Sequence, residues 1–163
     1  MGCDPRSYTP RDAMDITSFL TPKSEVVWVS AEGTIAQALE RMKPNGFGSV
    51  PILDEDGRYF GTLSTSDLIW YLVQGGDSWQ HAAFVTPLAS VRRARHDNAL
   101  RIAAGVPKLL SQIALQSFVP VVDDTGLFVG IVRRRPVIEH LARCAAWAAR
   151  TEHDRQARRA VTR

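Results

Sequence analysis

This chain repeats itself, and that is what most restricts its fold. The run Pro51-Ile52-Leu53-Asp54-Glu55-Asp56-Gly57-Arg58-Tyr59-Phe60-Gly61-Thr62-Leu63 is echoed by Pro120-Val121-Val122-Asp123-Asp124-Thr125-Gly126-Leu127-Phe128-Val129-Gly130-Ile131-Val132, with proline, aspartate and both glycines at a constant offset of 69. Further upstream, Phe19, Thr21 and Pro22 return as Phe84, Thr86 and Pro87 at an offset of 65, so the second copy carries four extra residues between these anchors. One such unit of about 60 residues buries too little surface to be robust alone. Two units stacked around a shared core are the economical solution, giving one body with a pseudo-twofold axis.

Each unit reads as strand, helix, strand, strand, helix. Val26 to Val29 is a short β-branched run, and Thr34-x-x-Gln37 is a capping box opening a helix whose apolar face holds Ile35, Ala38, Leu39 and Met42. Pro44-Asn45-Gly46 ends that helix. Ser49–Leu53 and Tyr59–Leu63 are two strands joined by Asp54-Glu55-Asp56-Gly57, a hairpin turn in which glycine supplies positive φ. Ser64-x-x-Asp67 then caps a helix with Leu68, Ile69, Tyr71 and Leu72 as its stripe.

The second copy predicts a helix capped by Asp97 or Asn98 and running from Ala99 to about Leu115, broken into two segments at Gly105-Val106-Pro107 because an interior proline costs about 3 kcal/mol. Strands at Phe118–Val122 and Phe128–Val132 precede a helix from Pro136, a first-turn proline, through Ala149. The implied organisation is a leader over 1–14, a first repeat over 15–83, a second over 84–149, and a basic helical extension or tail over 150–163. The fold class is α/β (α+β), two stacked βαββα units.

Charge divides the chain. Residues 1–90 hold 6 basic and 11 acidic side chains, whereas 91–163 hold 14 and 6, so a net −5 faces a net +8. The second half is the natural home for an anion, although two solvated faces would give the same split. Cys3 and Cys144 suggest neither a disulfide framework nor a CxxC metal pair, which fits a reducing cytoplasm. The sequence has no apolar run near 20 residues, and its first 15 residues carry acids and prolines where a signal peptide needs an apolar stretch. Met1-Gly2-Cys3 is a lipidation-like start, but Arg6 stands where Ser or Thr is needed.

In both copies a small residue, an apolar residue and proline close a strand (Gly48-Ser49-Val50-Pro51; Ser117-Phe118-Val119-Pro120). The first copy also has Gly61-Thr62-Leu63-Ser64-Thr65-Ser66-Asp67, a glycine, an apolar position and Ser/Thr-x-x-Asp. The pattern resembles cystathionine-β-synthase (CBS) repeats over roughly Asp15 to Arg143, and is similar to stand-alone bacterial CBS-pair proteins, including a subgroup that binds cyclic di-AMP. The resemblance implies a disc of two repeats, a homodimer of such discs, and a non-catalytic regulatory module that binds an adenine nucleotide (AMP, ATP or cyclic di-AMP) between the repeats and signals to a protein partner; the sequence does not distinguish these from one another or from S-adenosylmethionine. The nucleotide is a regulatory ligand, and no resident cofactor or metal is expected. By the same resemblance Ser64 is the phosphate contact, Asp67 holds the ribose, and adenine lies near Gly48, Val50 and Pro51. A strand feeding a helix start favours an anion, and a Ser64 or Thr65 hydroxyl can donate to phosphate.

The second copy departs from this pattern, since Arg133 and Pro136 stand where Ser64 and Asp67 do. Arg133, Arg134 and Arg135 instead present three phosphate-gripping guanidinium groups before a helix, and Arg134 and Arg135 match the basic pair of the cyclic di-AMP subgroup. Blander accounts exist for both features. Ser64 and Asp67 form an ordinary helix cap worth about 1 kcal/mol, and the arginines could pair with Asp123, Asp124 or Glu139.

An enzyme is disfavoured. His81, His96, His140 and His153 have no HExxH spacing, and neither a GxSxG elbow nor a Walker A loop is present. Nucleic-acid binding through arginines 92, 93, 95, 133–135 and those of 150–163 is a lesser alternative without a supporting motif. A ligand-free dimerisation module is another. Trp70, Trp79 and Trp147 read as core or interface residues.

Overall fold

The computed structural model describes residues 15–46, 48–93 and 98–161, the last ten as backbone only. The leader, the Asp97 cap, Arg95 and His96 therefore lie outside the described residues.

The tandem appears as two sheets of matching design. The first half contributes β2 (Val29–Ser30), α1 (Ile35–Met42), β3 (Ser49–Leu53), β4 (Tyr59–Ser64) and α2 (Thr65–Gln74); the second contributes β5 (Leu100–Arg101), α4 (Val106–Ile113), β6 (Phe118–Val122), β7 (Phe128–Arg133) and α5 (Arg134–Val161). Val29 pairs in parallel with Ile52, and Leu100 with Val121; Ile52 lies antiparallel to Gly61, and Val121 to Gly130. Even the register break recurs, after Ile52 and after Val121. The offset is 71 at Val29/Leu100 and 69 at Ser49/Phe118, against 65 at Pro22/Pro87. Six residues are thus gained before β5 and two are lost before β6, netting the four extra residues of the second copy.

Local chemistry sets the elements. Thr34 Oγ1 accepts from Gln37 N while Gln37 Oε1 accepts from Thr34 N, closing the box that starts α1. Gly46 takes φ 59° beyond the end of α1, and Gly57 and Gly126 take φ 78° and 88° in the two hairpin turns, conformations that other residues adopt only at a cost. Ile35, Ala38 and Met42 of α1 pack on Val50, Ile52, Leu63 and Leu68, and Leu109, Ile113, Val119, Val121, Val132 and Val137 form the equivalent core in the second half. Val26, Leu53, Phe118, Phe128 and Ile131 bury a third cluster where the halves meet, and Tyr59 stacks on Phe128 at 6.5 Å. At roughly 1.5–3 kcal/mol for each large apolar side chain removed from water, this seam is a substantial part of what holds the repeats together.

Several expectations are corrected. Only Val29 and Ser30 of the Val26–Val29 region pair as a strand. A strand not foreseen, β1 (Leu20–Pro22), crosses to the other half and pairs antiparallel with β7, giving the order β1-β7-β6-β5 beside β2-β3-β4. Ile16 is buried with it in the second core. The broken helix over Ala99–Leu115 is instead β5 followed by one helix: Leu100 is fully buried against β6, and Pro107 falls in the first turn of α4, where no N–H is needed. An additional helix, α3 (Trp79–Val85), packs on α1 and α2. The last helix begins at Arg134, places Pro136 third, and runs on to Val161. Leu39 and Ile69 do not join the core, and Trp70 (63% exposed) and Trp79 are surface residues, because each helix buries only the face turned to its sheet.

Candidate functional site

A cavity of about 590 Å³ opens where the repeats meet. It is lined by apolar Val26, Val27, Val50, Pro51, Phe118, Ile131 and Ile138, by Gly46, Gly48, Ser49 and Ser117, and by charged Arg133, Arg134, Arg135 and Glu139. The volume lies within the usual range of small-molecule sites, as does the mixture of apolar walls with a few convergent polar groups.

Matching joints in the two halves build this site. Thr65 N donates to Gly48 O at 2.9 Å, and its Oγ1 reaches the same carbonyl at 3.3 Å, tying the start of α2 to the start of β3. In the second half Arg134 N donates to Ser117 O at 3.0 Å, tying α5 to β6. The two strand starts lie side by side, with Ser49 Oγ and Ser117 Oγ 3.4 Å apart.

The sequence-predicted residues separate into two groups. Gly48, Val50 and Pro51 from the first half meet Arg133, Arg134 and Arg135 from the second in the cavity. Ser64, Thr65 and Asp67 do not line it. Asp67 is buried, with its Oδ2 accepting from Ser64 N at 3.0 Å and from Ser64 Oγ at 2.6 Å, while Ser64 Oγ accepts from Asp67 N at 3.1 Å. These groups are engaged in capping α2.

The arginines are unequal. Arg134 Nε donates to Ile113 O and Gln116 O at 2.9 and 2.8 Å, clasping the last turn of α4. Arg135 Nε donates to Glu139 Oε1 at 2.7 Å, and that hydrogen bond and charge raise the Arg135 pKa above its ordinary value. Arg133 ends β7 with its side chain exposed. The strand ends at Arg133 and the chain turns helical at Arg134, so the three side chains do not follow strand alternation. The N-terminus of the 28-residue α5 adds the positive end of its dipole to this group. Ser117, Phe118, Ile131, Ile138 and Glu139 were not singled out as ligand contacts from the sequence. The offset of 69 would have found the first two, as the counterparts of Gly48 and Ser49.

A second, smaller cavity of about 330 Å³ lies between Trp28 and α1. Lys23 and Arg41 both stand over the Trp28 ring, at 5.5 and 5.6 Å from its centroid. Among the described residues no helix is long and apolar enough to cross a membrane.

The family model described as CBS domain matches residues 14–74. A search of curated proteins finds no match. Among solved structures, CbpB in complex with c-di-AMP superposes with a TM-score of 0.72 at 20% identity, over 87% of this chain and 91% of that one. Listeria monocytogenes CbpB, also in complex with c-di-AMP, gives 0.70 at 18% identity over 81% and 98%. A hypothetical conserved protein from Geobacillus kaustophilus gives 0.70 at 26% identity over 80% and 97%. Residues 14–74 thus match the CBS domain model, and over its two halves together the chain has the fold of these proteins, that of CBS pairs.

Proposed function

We propose that this protein is a regulatory module that takes an adenine nucleotide, cyclic di-AMP foremost, into the cavity between its repeats. The observation that carries this reading is the convergence, in one apolar-walled cavity of about 590 Å³, of the Gly48–Pro51 strand start of one repeat with Arg133 and Arg135 of the other. Apolar walls suit a purine, and guanidinium groups beside a helix N-terminus suit phosphate. Cyclic di-AMP comes first because two proteins of the same fold are described as complexes with it. AMP, ATP and S-adenosylmethionine are the competing ligands.

A ligand touching both repeats favours the arrangement in which both sets of contacts are made, and that differential affinity is what a protein partner would read. A nucleotide ligand implies a cytoplasmic setting. The reading also includes a homodimer, for which Ile69, Trp70 and Val73 on α2 and Phe84 and Val85 on α3 supply exposed apolar surface on packed helices.

The test is a thermal-shift panel of these four adenine compounds followed by calorimetry. At a hundredfold excess over Kd, binding adds about 2.7 kcal/mol to stability. The double variant R133A/R135A should bind at least tenfold more weakly, since each charge-assisted hydrogen bond contributes about 1.5–3 kcal/mol. Undiminished affinity in that variant overturns the assignment.

A further inference from the structure

The cationic end of the cavity contains one anion. Glu139 stands one turn along α5 from Arg135, its carboxylate accepts the Arg135 Nε–H at 2.7 Å, and both side chains line the cavity. Arg134 has its Nε committed to two backbone carbonyls. The Arg135 Nε–H is therefore committed to Glu139, and a phosphate meeting this guanidinium does so beside a carboxylate.

As a helix-stabilising pair this arrangement is poorly placed. Cations in the first turn oppose the helix dipole, and an arginine four residues before a glutamate is the weaker order for an i,i+4 pair. The pair is also largely exposed, at 90% and 50% of the two side chains, which leaves it little to contribute to folding. The same exposure means an incoming phosphate displaces the carboxylate easily. What persists after displacement is the negative charge, still within a few ångströms of the bound anion.

We propose that Glu139 is a specificity-determining residue of the cavity: by neutralising Arg135 and repelling added negative charge, it favours a phosphodiester over a terminal phosphomonoester. This rests on the cavity being the nucleotide site. A phosphodiester carries one charge on each phosphate, whereas a phosphomonoester carries about 1.5 to 2 near neutral pH. At separations of about 5 Å in a solvent-rich environment, each unit of repulsion weakens binding roughly fourfold to tenfold. The penalty is thus greater for AMP than for either phosphate of cyclic di-AMP.

Calorimetry with AMP and with cyclic di-AMP on the wild type, E139Q and E55Q tests this. E139Q should tighten AMP by about tenfold and cyclic di-AMP by about fourfold, narrowing the preference between them. E55Q makes the same change in net charge at the exposed β3–β4 turn and should move neither affinity by more than about twofold. The inference is overturned if both ligands bind and E139Q leaves their ratio unchanged, or if E55Q reproduces the effect. If neither ligand binds the wild type, the nucleotide reading itself fails, a result separable from the first two.

Discussion

The joint from Gly61 to Asp67 and the joint from Gly130 to Pro136 occupy the same place in the two repeats, yet they use it differently. In the first, Ser64 and Asp67 close a capping box on each other and α2 begins with its side chains satisfied. In the second, Arg133 and Pro136 leave α5 without that box, and guanidinium groups gather at the helix start. One joint spends its polar groups on folding, whereas the other holds charge that folding alone does not require. Duplication supplies the backbone, and divergence decides which copy presents charge to the cavity.

The sharpest way to break this contrast is at the glycine that opens each joint. A Cβ on Gly130 would overlap the Thr21 carbonyl of β1, which is backbone and cannot move without unpairing the strand. A Cβ on Gly61 would meet Arg93 Nη1 at 2.9 Å, the far end of a flexible side chain lying over the Phe60 ring. G130A should therefore destabilise by more than about 3 kcal/mol and G61A by less than about 1 kcal/mol, read from urea midpoints at pH 7. Equal losses would mean that β1 is not the structural difference between the halves.

At the next position along, Arg134 and Thr65 make matching main-chain ties, but only Arg134 also holds the end of a neighbouring helix. R134A leaves the Ile113 and Gln116 carbonyls without their donor and should cost about 1–3 kcal/mol; T65V loses one 3.3 Å hydrogen bond and should cost under about 1 kcal/mol. If R134K restores most of the R134A loss, charge alone explains the role and the placement of Nε between two carbonyls does not.

The cap separates folding from binding more gently. S64A should lower stability by about 1 kcal/mol, as loss of a helix cap does, while leaving nucleotide affinity within about threefold. A large loss of affinity with little loss of stability would return Ser64 to the ligand site.

What could be read from the sequence follows the same division. The hairpins, both capping boxes and the second-half strands β6 and β7 were legible because short apolar runs, turn glycines and Ser/Thr-x-x-Asp/Gln are local signals, doubled by the repeat. The strand β1 was not, because Leu20–Pro22 gains its partner from β7, more than a hundred residues away, and its echo at Phe84–Pro87 ends a helix instead. Leu100 looked helical for a related reason: a two-residue strand has no periodicity, and only pairing with Val121 defines it. The cavity was half legible. Its arginines and its Gly48–Pro51 edge were visible as motifs, but their juxtaposition across the pseudo-twofold, and the exclusion of Ser64, depend on how the halves close.

The smallest effect tests the two hairpin turns. Asp54 Oδ1 accepts from Arg58 N, whereas Asp123 Oδ1 accepts from Thr125 N, Thr125 Oγ1 and Leu127 N at 2.7–2.9 Å. The Thr125 hydroxyl above all, with the backbone N–H groups, holds the Asp123 carboxyl below its ordinary pKa of 3.8. A depressed folded-state pKa means the unfolded chain takes up its proton first as pH falls, so this stabilisation is complete at neutral pH and is lost as pH drops below about 3.8 through the folded value. D123N keeps an acceptor oxygen but cannot titrate. Between pH 7 and pH 3 the wild type should therefore lose more of its urea midpoint than D123N does, by a small margin because the carboxylate is solvated. Parallel declines would show that the second turn holds its charge no more firmly than the unfolded chain does.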